Sequence, residues 1–151
     1  MNSKQLSILL ADDDTDDCTF FKEAVNDLSM KNKLTTVHDG EKLMHLLNNE
    51  SHVLPDVLFL DLNMPRKNGF ECLAEIKRNK RLKDLHVVIF STSFEQEVVN
   101  QLFESGAQHF IRKPSEFTQY KKIIQYTIEE ILNDTFSHNN RKVFVISLPG
   151  K

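Results

Sequence analysis

The sequence predicts an α/β protein, with a parallel sheet covered by helices on both faces. Two observations predict it. Short apolar runs alternate with helix-period segments along most of the chain. Two of those runs also stop at carboxylates: Val57-Leu58-Phe59-Leu60 at Asp61, and Ile8-Leu9-Leu10-Ala11 at Asp12-Asp13-Asp14. Parallel strands present their ligand crevice at their C-terminal ends, so the two runs deliver acids to one edge.

The elements follow in order. Ser7–Ala11 is the first strand. Asp16–Leu28 is a helix with Phe20, Phe21, Ala24, Val25 and Leu28 on one face. Asp14 or Thr15 can cap it, and Asp16 and Asp17 suit its positive end. Leu34–His38 is a short second strand, and Glu41–Asn49 a helix carrying Leu43, Leu46 and Leu47. Asp56–Leu60 is the third strand. Phe70–Asn79 is a helix that turns Phe70, Leu73, Ala74 and Ile76 to the core. His86–Phe90, the helix Glu95–Ser105, the short strand His109–Ile111 and the helix Phe117–Leu132 complete the alternation. Gly40, Gly69 and Gly106 fall at junctions, where a backbone must turn or a helix must end. Five such units imply a flavodoxin-like, doubly wound sheet in the order 2-1-3-4-5, with its switch point between the first and third strands. Asp12 and Asp13 then lie beside Asp61.

Residues 1–133 hold this alternation, and residues 134–151 form a C-terminal extension. Within it Val143-Phe144-Val145-Ile146-Ser147-Leu148 is strongly β-prone. It suits an extra strand on an open sheet edge or a mobile tail. Exchange of that strand between two copies is the alternative, and a homodimer would follow from it.

The 151 residues suit one domain with a sizeable core. A net charge of -3 gives no basic field, which disfavours direct nucleic-acid binding and attachment to a membrane surface. No apolar stretch is long enough to span a bilayer, and Met1–Gln5 carries no secretory signal, so the expected location is cytoplasmic. Cys18 and Cys72 lack the spacing of a disulfide or metal motif and read as reduced thiols. The six histidines form no metal-binding pair with a carboxylate at helical spacing.

Five polar positions follow apolar strands at the same edge: Asp12 and Asp13, Asp61, Ser91 and Lys113. Carboxylates gathered there repel one another, and a hard divalent cation such as Mg²⁺ relieves the repulsion. Asp13 and Asp61 are the expected direct ligands, with the backbone carbonyl of Asn63. Asp12 acts through a metal-bound water. Asp61 keeps an oxygen for in-line attack on phosphorus, while Lys113 and Ser91 offer a positive charge and a hydroxyl to the remaining phosphoryl oxygens.

The segments Leu9-Leu10-Ala11-Asp12-Asp13-Asp14, Phe59-Leu60-Asp61-Leu62-Asn63-Met64-Pro65 with Asn68-Gly69, and Phe110-Ile111-Arg112-Lys113-Pro114 resemble the receiver domain of two-component response regulators. The resemblance spans roughly Ser7 to Leu132. It is greatest to stand-alone receivers, including those paired with bacterial phytochrome-type kinases. It implies that Asp61 accepts phosphate from a sensor histidine kinase or a histidine phosphotransfer protein. Ser91 is then the conserved hydroxyl position, Lys113 the lysine and Phe110 the switching aromatic. The family's lysine–proline bond is usually cis, which makes Lys113-Pro114 a candidate for the same. An interaction surface would change on phosphorylation and be read by a downstream protein. On this reading the chain is not an enzyme in the metabolic sense, since it catalyses only its own phosphotransfer and dephosphorylation. Two rivals are a degenerate receiver that only binds, and a haloacid-dehalogenase-like, Mg²⁺-dependent phosphatase with an aspartate nucleophile. The Met64-Pro65 loop and Lys113-Pro114 favour the receiver.

Overall fold

The structure, a computed structural model, describes residues 5–92, 95–133 and 144–148. Strands β1 (Leu6–Ala11), β2 (Asn32–Val37), β3 (Val57–Leu60), β4 (Val87–Ser91) and β5 (His109–Arg112) form one parallel sheet in the order β2-β1-β3-β4-β5. Helices α1 (Thr15–Asn26), α2 (Gly40–Asn48), α3 (Gly69–Arg78), α4 (Gln96–Glu104) and α5 (Phe117–Leu132) join and follow them. The expected fold class and strand order are those observed.

Residues of β1, β3 and β4 are buried on both faces of the sheet, which is why these strands read as unbroken apolar runs. Their alternate side chains feed two cores. Leu9, Leu58, Leu60, Val87 and Ile89 pack with α2, α3 and α4. Ile8, Leu10, Val57, Phe59, Val88 and Phe90 pack with α1 and α5. On this second face Phe21, Phe59, Phe90 and Tyr120 form a chain of edge-on rings, with centroids 4.9 Å apart for Phe21–Phe59, 6.3 Å for Phe59–Phe90 and 5.2 Å for Phe90–Tyr120. Each such pair adds about 0.5–1.5 kcal/mol beyond area burial.

The second strand starts two residues earlier than its apolar residues indicate. Its register against β1 pairs Leu6 with Asn32, so polar Asn32 and Lys33 are drawn into the ladder. The Asn32 amide is satisfied by donating to the carbonyls of Val25 and Met30. Of the two capping candidates on the first helix, Asp14 acts: its Oδ1 accepts from the Asp17 N–H at 3.1 Å. Gly40 and Gly69 open helices and do not end them. Gly106 follows α4 with φ 98°, a conformation that suits glycine.

Residues 144–148 lie against the free edge of β5. The Phe110 N–H donates to the Phe144 carbonyl at 2.8 Å, and the Ile146 N–H donates to the Phe110 carbonyl at 2.9 Å, giving a parallel bridge between Phe110 and Val145. Phe144 is buried in the first core, its ring edge-on to Phe103 at 5.2 Å, and Ile146 is buried in the second. Among the described residues, the β-prone run thus touches the sheet edge at a single bridge. Val143 and residues 134–142 lie outside the described residues.

At the opposite end of the sheet from the acids, His86 stacks on His109 with centroids 5.1 Å apart. The buried Nε2 of His86 has no hydrogen-bond partner. Burial, then His109 and Lys77, push its imidazole down to about 4. The unfolded chain protonates this side chain near 6.5 and the folded chain only near 4. The stability it contributes is therefore complete above pH 6.5 and is lost as pH falls through that window. We expect His86→Phe, which keeps a stacked ring, to lose about 2 kcal/mol less than the wild type between pH 7 and 4.5 in urea melts. Parallel pH profiles for the two proteins would refute this.

Candidate functional site

The sheet register builds the site. Ala11 pairs with Leu60, so Asp12 and Asp61 leave adjacent strands side by side, and the Asp61 N–H donates to the Ala11 carbonyl at 3.0 Å. The carboxylates of Asp12, Asp13 and Asp61 each offer an oxygen, and these oxygens lie within 4.8 Å of one another. Asp12 and Asp61 are buried while Asp13 is exposed, so the cluster opens to solvent on the Asp13 side.

Lys113 enters from the end of β5. Its N–H donates to the Ser91 carbonyl at 2.7 Å, extending the β4–β5 ladder by one residue. Its Nζ lies 2.8 Å from Asp12 Oδ2, 2.8 Å from Asp17 Oδ2 and 3.8 Å from Asp61 Oδ1. The same atom sits 5.5 Å from the centroid of the Phe90 ring, in cation–π range. The Lys113-Pro114 bond is trans, not the cis bond considered from the sequence. The ladder bond to Ser91 aims Lys113 into the site without it, and trans is the intrinsically favoured isomer by about 0.5–1 kcal/mol.

The electrostatics follow from burial. Removal from water pushes the Asp61 carboxyl up to about 7; Lys113 and the Asn63 backbone N–H oppose this shift, while Asp12 and Asp13 add to it. Burial likewise raises Asp12, against the pull of Lys113. Lys113 is raised as well, but for it the rise favours the charged form. Burial alone would weaken its charged form, but Asp12, then Asp17 and Asp61, hold it as an ammonium. Two buried carboxylates whose ionised forms are disfavoured, beside an exposed third, are poised for more positive charge than one lysine supplies.

The residues present fit a divalent metal ion. The donors are all oxygen, clustered and partly open to water, which suits a hard cation and not a soft one. Asn63, exposed in the loop after Asp61, stands next to the cluster. That loop contains a tight turn: the Lys67 N–H donates to the Pro65 carbonyl at 2.7 Å, with Arg66 at φ 69°. Backbone held in this sparsely populated region is typical of functional loops. The loop closes on α3 through a capping box of Asn68 and Glu71.

Ser91 is buried at the C-terminal end of β4, the strand beside β3. Phe110 is fully buried on β5, in the first core, with its centroid 6.5 Å from that of Phe144. The structure thus gathers Asp12, Asp13, Asp61 and Lys113 at one point, with Ser91 on the neighbouring strand end and Phe110 further back on β5.

Sequence reasoning missed Asp17. Its carboxylate is accounted for by helix polarity, yet it bonds Lys113. The available signal was spacing: Asp17 is four residues before Phe21, which is fully buried, so the two share the inward stripe of α1. Cys18 and His38 were also unforeseen here. The Cys18 thiol donates to the Asp12 carbonyl at 3.4 Å, and His38 Nδ1 lies 3.1 Å from the same oxygen. Burial, then Asp12 and Asp17, push the Cys18 thiol up to about 12, so it is inert. Both cysteines are free.

Comparison with known proteins agrees with this geometry. The profile of the response regulator receiver domain matches residues 8–125. The chain is 31% identical over 122 residues to response regulator Rcp1 of Synechocystis, an alignment covering 78% of this chain and 83% of that one. Among solved structures, the phosphorylated cyanobacterial phytochrome response regulator RcpA superposes with a TM-score of 0.81 at 31% identity, covering 87% of this chain and 96% of that one. The Mn²⁺-bound form of Rcp1 superposes at 0.79 with 29% identity, covering 96% and 99%. The chain belongs to the response regulator receiver domain family.

Proposed function

We propose that this chain is a single-domain response regulator that takes a phosphoryl group onto Asp61 from a sensor histidine kinase or histidine phosphotransfer protein, with Mg²⁺ as cofactor. The observation that carries the proposal is the placement of Lys113 Nζ 3.8 Å from Asp61, inside a carboxylate cluster able to hold a cation. Two relatives support it: RcpA was crystallised phosphorylated and Rcp1 with Mn²⁺ bound.

Asp13, Asp61 and the Asn63 carbonyl would hold the cation, with Asp12 acting through a bound water. When bound, the cation would offset phosphoryl charge and favour the ionised form of Asp61. The Asp61 oxygen forms the new O–P bond as the P–N bond of phosphohistidine breaks, and the imidazole leaves with its electron pair. Lys113 and Ser91 donate to the transferred oxygens. Phe110 then shifts, coupling the site to the surface that a downstream protein reads. The protein acts in the cytoplasm and turns over no free metabolite. Direct contact with nucleic acid or membrane plays no part, and among the described residues no helix is long and apolar enough to cross a bilayer. A homodimer would form by exchange of the C-terminal strand between two copies.

Incubation with a phosphorylated histidine kinase or with phosphoramidate tests the reading. Label should enter the wild type only with a divalent cation, and Asp61→Asn should reduce it to background. Undiminished labelling of the variant would move the acceptor elsewhere. A chain that binds no beryllium fluoride in the presence of Mg²⁺ would be a binding module only.

A further inference from the structure

We propose that Asp17 is a positioning residue for Lys113, keeping the ammonium aimed at Asp61 while the other acids serve a cation. The inference rests on the phosphoacceptor reading above and adds a residue to it.

Lysine is a poor fixed donor. Its four-carbon stem loses about 2 kcal/mol of rotamer freedom when it is ordered, so something must hold it. Here three groups do: Asp12, Asp17 and the face of Phe90. They are not equivalent. Asp12 belongs to the trio whose oxygens can share a cation, and any oxygen it gives to that cation is withdrawn from Lys113. Asp17 stands outside the trio, so its bond to the ammonium does not compete with cation binding.

Asp17 is itself well anchored. Its N–H donates to the Asp14 carboxylate at 3.1 Å, in the capping turn of α1. Its carbonyl accepts from the Tyr120 hydroxyl at 2.9 Å, and Tyr120 is buried on α5. The backbone of Asp17 is therefore pinned from two helices, and two torsions separate it from Lys113. Two of the three Nζ donors are spent on Asp12 and Asp17. Asp61 lies near the third at 3.8 Å, too far for a direct hydrogen bond. A phosphoryl oxygen carried by Asp61 extends into that gap and meets a donor already in place. This arrangement lowers the ordering cost of binding in the way preorganised sites do.

The test is a double-mutant cycle read by beryllium fluoride affinity at saturating Mg²⁺, with Mg²⁺ affinity measured separately by titration of the full chain. Saturable binding of beryllium fluoride to the wild type checks the phosphoacceptor reading, independently of Asp17. Asp17→Asn should weaken beryllium fluoride binding about tenfold, the scale of one lost charge-assisted bond, and change Mg²⁺ affinity less than about twofold. In a Lys113→Gln background the same substitution should have almost no effect, since nothing remains to be positioned. Asp17→Glu, which keeps the charge, should recover most of the wild-type affinity. An equal loss in both backgrounds would mark general structural damage and overturn the proposal. So would tighter binding by Asp17→Asn, which would make Asp17 a competitor for Lys113.

Discussion

Asp61→Asn is expected to stabilise the metal-free protein at neutral pH by roughly 2–4 kcal/mol, from a carboxyl raised to about 7. The unfolded chain ionises this side chain near 3.9 and the folded chain near 7. Between those values the folded state holds the proton and the unfolded state does not. Wild-type stability therefore falls as pH rises through the window and is lowest above it. Asparagine keeps the shape and removes the charge. Its denaturation midpoint should exceed the wild type's at pH 7.5, and the two should converge toward pH 4. A divalent cation should close the same gap from the other side, by stabilising the wild type more than the variant. A variant less stable than the metal-free wild type at pH 7.5 would show that Lys113 already neutralises the cluster.

The second large effect concerns a backbone position. Gly69 opens α3 directly behind the acceptor, and its N–H donates to the Leu62 carbonyl at 2.9 Å. A methyl group there would collide with the Asp61 carbonyl oxygen and lie 2.8 Å from Leu62 Cα. Both obstacles are main chain, so neither can rotate away. Gly69→Ala should cost more than about 3 kcal/mol and also weaken cation binding, because relief requires moving Asp61 itself. Gly106→Ala is the control. Its φ of 98° imposes strain, but the added carbon would meet only the flexible Lys77 stem at 3.3 Å, so the cost should be nearer 1 kcal/mol. Thermal melts of the two variants decide the matter. Equal losses would mean that close approach to the acceptor strand is not what selects glycine at position 69.

Asp61 and Gly69 mark where sequence is a sufficient guide and where it is not. β1, β3 and β4 are buried on both sides, and burial on both sides writes an apolar run that composition alone reveals. Asp12, Asp13, Asp61 and Lys113 were identifiable because each interrupts or follows such a run, and strand order then brings them together. Gly69 was visible as a junction, but its reason was not, since the obstructing carbonyl belongs to a different element. Asp17 was masked by a simpler explanation, because an acid in the first turn of a helix needs no distant partner to be favourable. The start of β2 is set by its neighbour's register and not by its own residues. The seating of residues 144–148 depends on a pairing across more than thirty positions, which no local pattern specifies.

That seating has a consequence for recognition. An outer strand ordinarily offers its main-chain groups to any extended peptide that comes by. Here the amide and carbonyl of Phe110 are already occupied by the chain's own tail. A visiting peptide cannot add to this margin of the sheet at Phe110 without first evicting Phe144 and Ile146 from their apolar seats. Binding by strand addition on that side is therefore a contest with a tethered competitor, whose local concentration no free ligand readily matches.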